Sequence, residues 1–298
     1  MTPDSPDARF FPQFSRSQLD VNGTRINAVH GGAGPPILLL HGYPQTHVAW
    51  HRVAPSLAER FTVVCPDLRG YGDSAKPPSD KRHEQYSKRV MAQDQVELMQ
   101  TLGFERFAVV GHDRGARVAR RIALDHPDCV RRLALLDIVP TRAIYETLTQ
   151  ARATTVWRYF FLVQPALPER LIGADPGFFL DWTLQEWCGT PGALAAAAVS
   201  EYRRCFDSST VHAGCEDYRA GATIDLEHDQ ADADRLIACP VLVLWSEQGI
   251  GSSYDVLSIW REQTDDVRGR ALDCGHFLAE ERPAAITAEL LAFCSSDS

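Results

Sequence analysis

Six short runs rich in apolar residues recur along this chain of 298 residues and constrain its fold more than any other feature. They are PPILLLHG (35–42), FTVVCPDLRG (61–70), RFAVVGHD (106–113), RRLALLDIV (131–139), PVLVLW (240–245) and VRGRALDCGH (267–276). Runs with little polar alternation are typical of strands that are covered on both faces. We therefore predict a mostly parallel sheet at the centre of the fold.

Helical patterns separate most of these runs. The clearest are YSKRVMAQDQVELMQTLG (86–103), GARVARRIALDHP (115–127) and ERPAAITAELLAFC (281–294). Alternating strands and helices indicate an α/β fold with helices on both faces of the sheet. Near the start of the chain, Asn22-Gly23 lies between two short runs in QLDVNGTRINAVHGG, which predicts a hairpin.

The alternation stops between residues 141 and 236, where aromatic-rich helical segments such as TTVWRYFFLVQP and DPGFFLDWTLQEW replace the strand runs. This stretch is too long for a loop, so it predicts an inserted helical cap, or lid. We expect residues 1–140 and 237–298 to form the core domain and residues 141–236 to form the cap domain.

Composition narrows the class of protein. The formal net charge of −9 gives no basic surface for nucleic acid or an anionic membrane. No run approaches the ~20 apolar residues of a membrane-spanning helix, and the polar N-terminal stretch does not resemble a secretory signal. The eight cysteines show no metal-ligand spacing. We expect a cytoplasmic protein that uses neither a metal nor another cofactor.

The carboxyl ends of parallel strands meet at one edge of a sheet, and functional groups gather there. The polar residues at the predicted strand ends are His41, Asp67, Asp113, Asp137, Glu247 and His276. Asp113 stands in VGHDRGAR, a G-x-D-x-G turn that Gly111 and Gly115 would allow to form tightly. Such a turn between a strand and a helix presents its central residue as a nucleophile. The simpler alternative is an aspartate that caps the following helix.

Two arginines follow the aspartate within one helical turn. Arg114 and Arg117 share a face near the N-terminus of the predicted helix, where the helix dipole also favours anions. Their forked guanidinium groups predict a binding site for a substrate carboxylate beside Asp113. The alternative is that both arginines form ordinary ion pairs with acidic side chains. A carboxylate nucleophile can displace a leaving group from saturated carbon, forming an ester that water then hydrolyses. The pattern indicates a substrate with its own carboxylate.

Five segments carry a family resemblance: HGYPQTHVAWHRVAP, DLRGYGDSAKP, GHDRGARVA, CEDYRAGA and CGHFLAEERP. Over nearly its whole length the sequence resembles the α/β-hydrolase superfamily, and within it the haloacetate (fluoroacetate) dehalogenase family. The resemblance implies an α/β-hydrolase fold with Asp113 as nucleophile. It also implies His276 as the base that activates water and Asp137 as the acid that orients this base. Glu247, at the end of the next strand, is the alternative acid.

The same resemblance assigns the remaining contacts. Backbone N–H groups of Tyr43 and Arg114 are expected to form an oxyanion hole. In this family a His-Trp pair and a tyrosine of the cap bind the leaving halide. Tyr218 matches the tyrosine, whereas Arg158-Tyr159 replaces the His-Trp pair, and a shift of register would let the adjacent Trp157 substitute as a halide contact. Arginine and tyrosine can still donate hydrogen bonds to chloride or bromide, but the missing imidazole and indole donors count against fluoride release.

We therefore expect a hydrolytic dehalogenase that releases halide from haloacetate or a similar short 2-haloacid. An epoxide hydrolase is the first alternative, because the cap offers Tyr145, Tyr159, Tyr202 and Tyr218 to hold an epoxide oxygen, although that reaction has no use for paired arginines. The second is a catalytically silent binding protein, which would have no reason to retain nucleophile, acid and base in order. The family resemblance also implies a homodimer.

Overall fold

The computed structural model describes residues 6–295. Within this range eight strands form one sheet in the order β1-β2-β4-β3-β5-β6-β7-β8. The strands are β1 (Ser15–Val21), β2 (Thr24–Gly31), β3 (Pro36–Leu40), β4 (Thr62–Pro66), β5 (Phe107–His112), β6 (Val130–Leu136), β7 (Val241–Ser246) and β8 (Val267–Leu272). Strand β2 pairs antiparallel with both β1 and β4 at one edge of the sheet, and the remaining pairs are parallel. The predicted α/β fold with a mostly parallel sheet is confirmed.

Helices connect the strands of the sheet. They are α1 (Ala54–Leu57), α2 (Lys88–Thr101), α3 (Arg114–Asp125), α4 (Thr141–Glu146), α5 (Gln150–Thr155), α6 (Trp157–Phe161), α7 (Leu167–Ala174), α8 (Pro176–Trp187), α9 (Ala196–Cys205), α10 (Ser208–Ala222), α11 (Ile224–Ala231), α12 (Val256–Arg261), α13 (Leu278–Glu281) and α14 (Pro283–Cys294). Helix α3 packs against β5 and β6, which places its N-terminus at the carboxyl edge of the sheet. None of the helices described is long and apolar enough to cross a membrane.

The predicted hairpin is present at the start of the sheet. Val21 pairs with Thr24 across the turn, and the two residues between them have φ angles of 45° at Asn22 and 69° at Gly23. Asparagine and glycine tolerate positive φ at both central positions of a two-residue turn, and for that reason this dipeptide marks hairpins in sequences.

The region between β6 and β7 contains helices α4–α11 and no strand in the described chain. Buried polar contacts dock these helices on the core: Tyr202 of α9 donates to Glu280 at 3.0 Å, and Tyr71 donates to Asp217 of α10 at 2.7 Å. The division at residues 141 and 236 stays a prediction, but the contacts show where the helical region is fastened.

A strained turn links β5 to α3. Asp113 has φ 46° and ψ −114°, a conformation that costs an aspartate about 1–3 kcal/mol and persists only where packing enforces it. The flanking glycines make that packing possible. A Cβ on Gly111 would lie 2.5 Å from Cα of Ala116, and one on Gly115 would lie 2.5 Å from the carbonyl oxygen of Leu40. Helix α3 therefore lies too close to β5 and β3 for any side chain at these two positions.

Replacing Gly115 by Ala tests this close approach. The added Cβ has to push the backbone of β3 away, so we expect Gly115→Ala to lower the free energy of unfolding by about 1–3 kcal/mol. Gly173 in α7 is the matched control, because nothing lies within 4 Å of its added Cβ. There, alanine should stabilise the helix by about 0.5–1 kcal/mol. Urea denaturation measures both, and equal effects would contradict the close approach.

Candidate active site

The Asp113 carboxylate lies at the end of β5 and is 5% exposed. Its Oδ2 accepts a hydrogen bond from the backbone N–H of Tyr43 at 3.0 Å. The same oxygen lies 4.0 Å from Nε2 of His276. The turn thus holds one carboxylate oxygen against a backbone donor and within reach of an imidazole, while Oδ1 has no hydrogen-bond partner among the residues described.

His276 is oriented by Asp137. Its Nδ1 lies 2.6 Å from Asp137 Oδ2, and the other oxygen of Asp137 accepts from the backbone N–H of Ser246 at 2.9 Å. Glu247, the alternative acid, is exposed and makes no contact with the imidazole. Since a carboxylate accepts, Nδ1 carries the proton and the neutral ring keeps its lone pair on Nε2, the atom that faces Asp113.

The charges of the site shift the pKa of both groups. Burial alone would raise the pKa of Asp113, but His276, His112, Arg114 and Arg117 outweigh it, so that this pKa lies below the ordinary value. Burial alone would lower the pKa of His276, but the hydrogen bond and charge of Asp137 and the charge of Asp113 raise it above the ordinary value. Asp113 is therefore an ionised carboxylate near neutral pH.

Sequence reasoning missed Trp187, the last residue of α8. Its ring meets that of His276 edge-on at a centroid distance of 4.9 Å, and its carbonyl oxygen accepts from the backbone N–H of His276 at 2.8 Å. Beside it, a Cβ on Gly189 would lie only 2.6 Å from the backbone nitrogen of Gly275. The helical region therefore touches the loop that carries His276 through backbone atoms. No short motif encodes this contact, because it joins segments far apart in the sequence.

One cavity of about 420 Å³ opens onto these groups. The predicted site residues that line it are Asp113, Arg117, Asp137, Arg158, Tyr159, Tyr218 and His276. Trp187 and Tyr254 contribute aromatic surface to its wall. A concave site with a few convergent polar groups is what a small-molecule substrate requires.

The two predicted carboxylate-binding arginines differ in what they already bind. Arg117 Nη1 donates to Thr141 Oγ1 at 2.6 Å, Nη2 donates to Tyr159 Oη at 2.7 Å, and the buried Nε has no partner among the described residues. Because Tyr159 accepts from arginine, its own O–H is left to donate elsewhere. Arg117 and Tyr159 thus form a donor pair on the cavity wall.

Arg114 lies behind that wall. Its Nε and Nη2 donate to the two carboxylate oxygens of Asp217 at 2.9 and 2.6 Å, and its guanidinium carbon lies 4.3 Å from the ring centre of Tyr218. Lys88 also pairs with Asp217. One edge of the Arg114 fork is occupied, and Nη1 alone has no hydrogen-bond partner in the described chain.

The four predicted halide contacts fall into two groups. Tyr159 and Tyr218 lie together on the cavity wall, with ring centroids 5.4 Å apart. Arg158 also lines the cavity; it pairs with Glu186 and lies between the rings of Trp157, Trp182 and Trp187, 4.6–4.7 Å from each. Trp157 faces Arg158 and is not part of the cavity wall.

Two other groups singled out by the sequence have structural roles. His41 accepts from the backbone N–H of Leu68 at 3.0 Å, and Asp67 accepts from the backbone N–H of His47 at 2.8 Å. Both are buried and neither lines the cavity. They brace the loop after β3, which carries Tyr43, against the loop after β4.

One cluster of possible metal ligands occurs among the described residues, formed by Glu169, His212 and Glu216 of the helical region. Arg219 already donates to Glu169 at 2.6 Å and to Glu216 at 2.7 Å. Its guanidinium supplies the positive charge that a metal ion would bring, so the residues present fit an ion pair better than a metal.

The strained carboxylate turn, the oriented imidazole and the parallel sheet define an α/β hydrolase. The chain belongs to that family, whose model, described as "alpha/beta hydrolase fold", matches residues 35–283. It is 46% identical over 293 residues to a fluoroacetate dehalogenase of Burkholderia sp, covering 97% of this chain and 96% of that protein. These findings confirm the predicted resemblance and the fold class.

Two further relatives are informative. The chain is 34% identical over 287 residues to the soluble epoxide hydrolase of Corynebacterium sp. (strain C12), covering 94% of this chain and 97% of that protein. It superposes with a TM-score of 0.94 on the crystal structure of an alpha/beta hydrolase from Nostoc sp PCC 7120, at 56% identity over 95% of this chain and 99% of that one. The relatives thus include hydrolases that act on two different kinds of bond.

Replacing Asp137 by Asn tests how the imidazole is oriented. Removing the carboxylate takes away the hydrogen bond and charge that hold the pKa of His276 above its ordinary value, so this pKa should fall. NMR titration of the His276 ring measures it. Glu247→Gln removes an exposed carboxylate of the same sheet edge and should leave the pKa unchanged. A larger fall in the Glu247 variant would identify that residue as the acid.

Proposed function

We propose that the protein is a hydrolase of carbon–halide bonds that converts haloacetate or a similar short 2-haloacid to the 2-hydroxyacid through an ester on Asp113. The observation that carries the proposal is the Asp113 carboxylate, which accepts from the Tyr43 N–H and lines one cavity with His276 and Arg117. The 46% identical fluoroacetate dehalogenase supports this class of reaction. Water is the second substrate, and no cofactor takes part.

Displacement is the first step. Asp113 Oδ1, which Tyr43 does not hold, attacks the carbon that bears the halogen; the new C–O bond forms as the carbon–halogen bond breaks, and its electron pair leaves with the halide. Arg117 faces the substrate carboxylate on the cavity wall. Arg114 contributes its buried charge and its free Nη1, since Asp217 occupies the rest of its fork. Together they place the reacting carbon beside Asp113.

Hydrolysis is the second step. His276 Nε2 takes a proton from a water molecule whose oxygen bonds to the Asp113 carboxyl carbon. The negative charge that develops on Oδ2 is stabilised by the Tyr43 N–H, which already donates to this atom at 3.0 Å, and by the backbone N–H of Arg114. The bond between the carboxyl carbon and Oδ1 then breaks. The 2-hydroxyacid leaves with the proton from His276, and the water oxygen stays on the Asp113 carboxyl group, which becomes a carboxylate again when it loses the second water proton to solvent.

The departing halide needs donors on the cavity wall opposite Asp113. Tyr218 and Tyr159 supply O–H groups, and the hydrogen bond from Arg117 to Tyr159 increases the acidity of that donor. Arg158 supplies a positive charge, although Glu186 and three tryptophans already surround it. Trp157 acts through Arg158 and does not meet the halide. The large, delocalised guanidinium of Arg158 suits chloride and bromide better than the strongly hydrated fluoride.

Epoxide hydrolysis is the second candidate function, and one observation favours it. Tyr159 and Tyr218 line the cavity with ring centroids 5.4 Å apart, as two phenols that activate one epoxide oxygen would. The 34% identical epoxide hydrolase supports the same reading. Against it, Arg117 places a buried cation on the cavity wall that a neutral epoxide does not use.

A silent binding protein is not favoured, because nucleophile, base and acid are assembled in contact. A cytoplasmic location and a homodimer stay predictions.

The two candidate reactions are separated by their products. With bromo-, chloro- and fluoroacetate and a styrene-type epoxide as substrates, we expect halide release, fastest for bromide and slowest for fluoride, and little diol. Ion chromatography measures the halide, and gas chromatography measures the diol. Diol without halide would replace the proposal by epoxide hydrolysis.

Single turnover in heavy-oxygen water should place the label on Asp113, whereas an unlabelled carboxylate would exclude the ester.

Carboxylate recognition is tested by Arg117→Lys. The shorter point charge cannot reproduce the fork that donates to Tyr159 and faces the substrate, so KM for the haloacid should rise about tenfold. Arg120→Lys, one turn along α3, is the matched control, because Arg120 pairs with Asp229 and Gln263 and lies outside the cavity wall. Steady-state halide release gives both values. An unchanged KM in the Arg117 variant would remove this residue from substrate binding.

A further inference from the structure

Three consecutive backbone N–H groups around His276 are all hydrogen-bonded to fixed acceptors. The N–H of Gly275 donates to Glu281 Oε2 at 2.8 Å, and the N–H of Phe277 donates to Glu281 Oε1 at 3.0 Å. Between them, the N–H of His276 donates to the carbonyl oxygen of Trp187. Glu281 therefore spans the peptide segment of the base with its two carboxylate oxygens, one on each side of His276.

Glu281 is well suited to hold this segment. It is 5% exposed and lies at the end of α13, and no arginine or lysine pairs with it among the residues described. Hydrogen bonds from backbone N–H groups to a buried carboxylate are short and strong, because one partner carries a full charge. A pair of such bonds fixes the rotation of the segment as well as its position.

His112 fixes the other face of the same segment. Its Nε2 lies 2.7 Å from the carbonyl oxygen of His276, and since a carbonyl only accepts, Nε2 carries the proton. Burial first, and then the charge of His276, lower the pKa of His112 to about 3, so the ring is neutral. His112 directly precedes Asp113, so this hydrogen bond links the loop of the base to the turn of the nucleophile.

We propose that Glu281 is a positioning residue for the base, and that its two hydrogen bonds keep His276 Nε2 directed at the Asp113 ester. The proposal rests on the proposed function, because it concerns the second step of that reaction. Displacement of the halide does not use His276, so Glu281 should matter for ester hydrolysis alone. The charged and titratable groups that face the imidazole are Asp137 at Nδ1, Asp113 at Nε2 and the ring of His112 at 4.6 Å. Glu281 acts on it through the backbone and through its charge.

Glu281→Gln is the direct test. Glutamine keeps one acceptor oxygen, but its NH₂ group cannot accept from the second backbone N–H. We expect ester hydrolysis to slow by about 10- to 100-fold, because small displacements of a catalytic group have effects of that size. The halide burst should stay within about twofold of the unchanged enzyme, since displacement does not use the base. Rapid-quench halide measurement and mass spectrometry of the Asp113 ester follow the two steps separately.

Glu280→Gln is the matched control. Glu280 lies one residue earlier in α13 and is also buried, but its carboxylate accepts from Tyr202, and no hydrogen bond is described between its side chain and residues 275–277. Burial raises the pKa of Glu280 to about 8, so the neutral glutamine is a close replacement, and both rate constants should stay unchanged. Glu281→Asp retains the charge and can reach one N–H, so it should recover part of the rate of ester hydrolysis. This variant also carries the test if Glu281→Gln does not fold.

Two outcomes would overturn the role of Glu281. One is an unchanged rate of ester hydrolysis in Glu281→Gln, and the other is an equal fall in both steps, which a purely structural residue would produce. A readout without substrate keeps this test independent of the proposed function. In Glu281→Gln the NMR signal of the His276 Nδ1 proton should shift and exchange faster, and the pKa of His276 should fall. If the unchanged enzyme forms no ester from any haloacid, the proposed function fails, while the NMR comparison still decides the role of Glu281.

Discussion

The backbone of Asp113 is the constraint on which the rest of the site depends. Asp113 has strained φ and ψ angles. The close packing of α3 against β3 and β5 enforces them, and this packing is possible because residues 111 and 115 are glycines. The turn aims the carboxylate away from the sheet, toward the N–H of Tyr43. The imidazole of His276 lies 4.0 Å from this carboxylate, and the charges of Arg114 and Arg117 help to lower its pKa. Strain of this kind is retained where function needs a fixed direction.

A buried ion pair connects the helical region to this turn. Asp217 of α10 accepts from Arg114 and pairs with Lys88, and all three side chains are shielded from water. Two cations on one carboxylate hold its pKa well below the usual range, against the opposing effect of burial. Charge at this depth is tolerated only in pairs. Arg114 thus ties the helical region to the turn at Asp113, and Arg117 is the arginine that lines the cavity.

Local patterns in the sequence are sufficient to predict the strands, the hairpin at Asn22 and the tight turn at Asp113. Each depends on residues close together in the chain, because turn chemistry and apolar runs act over short distances. Trp187, Glu281 and the pairing of Arg114 with Asp217 could not be predicted in this way. Their roles come from contacts between segments that are far apart in the sequence. Only the folded structure shows which hydrogen-bond donor pairs with which acceptor.

The contact between Gly189 and Gly275 leaves no space for a side chain between the helical region and the loop that carries His276. The segment that follows α8 and the segment around His276 touch there through their backbones, and the carbonyl oxygen of Trp187 accepts from the N–H of His276. Any side chain at either glycine would have to push these two segments apart. The placement of the His276 imidazole therefore depends on how the helical region packs as well as on the sheet that ends beside it.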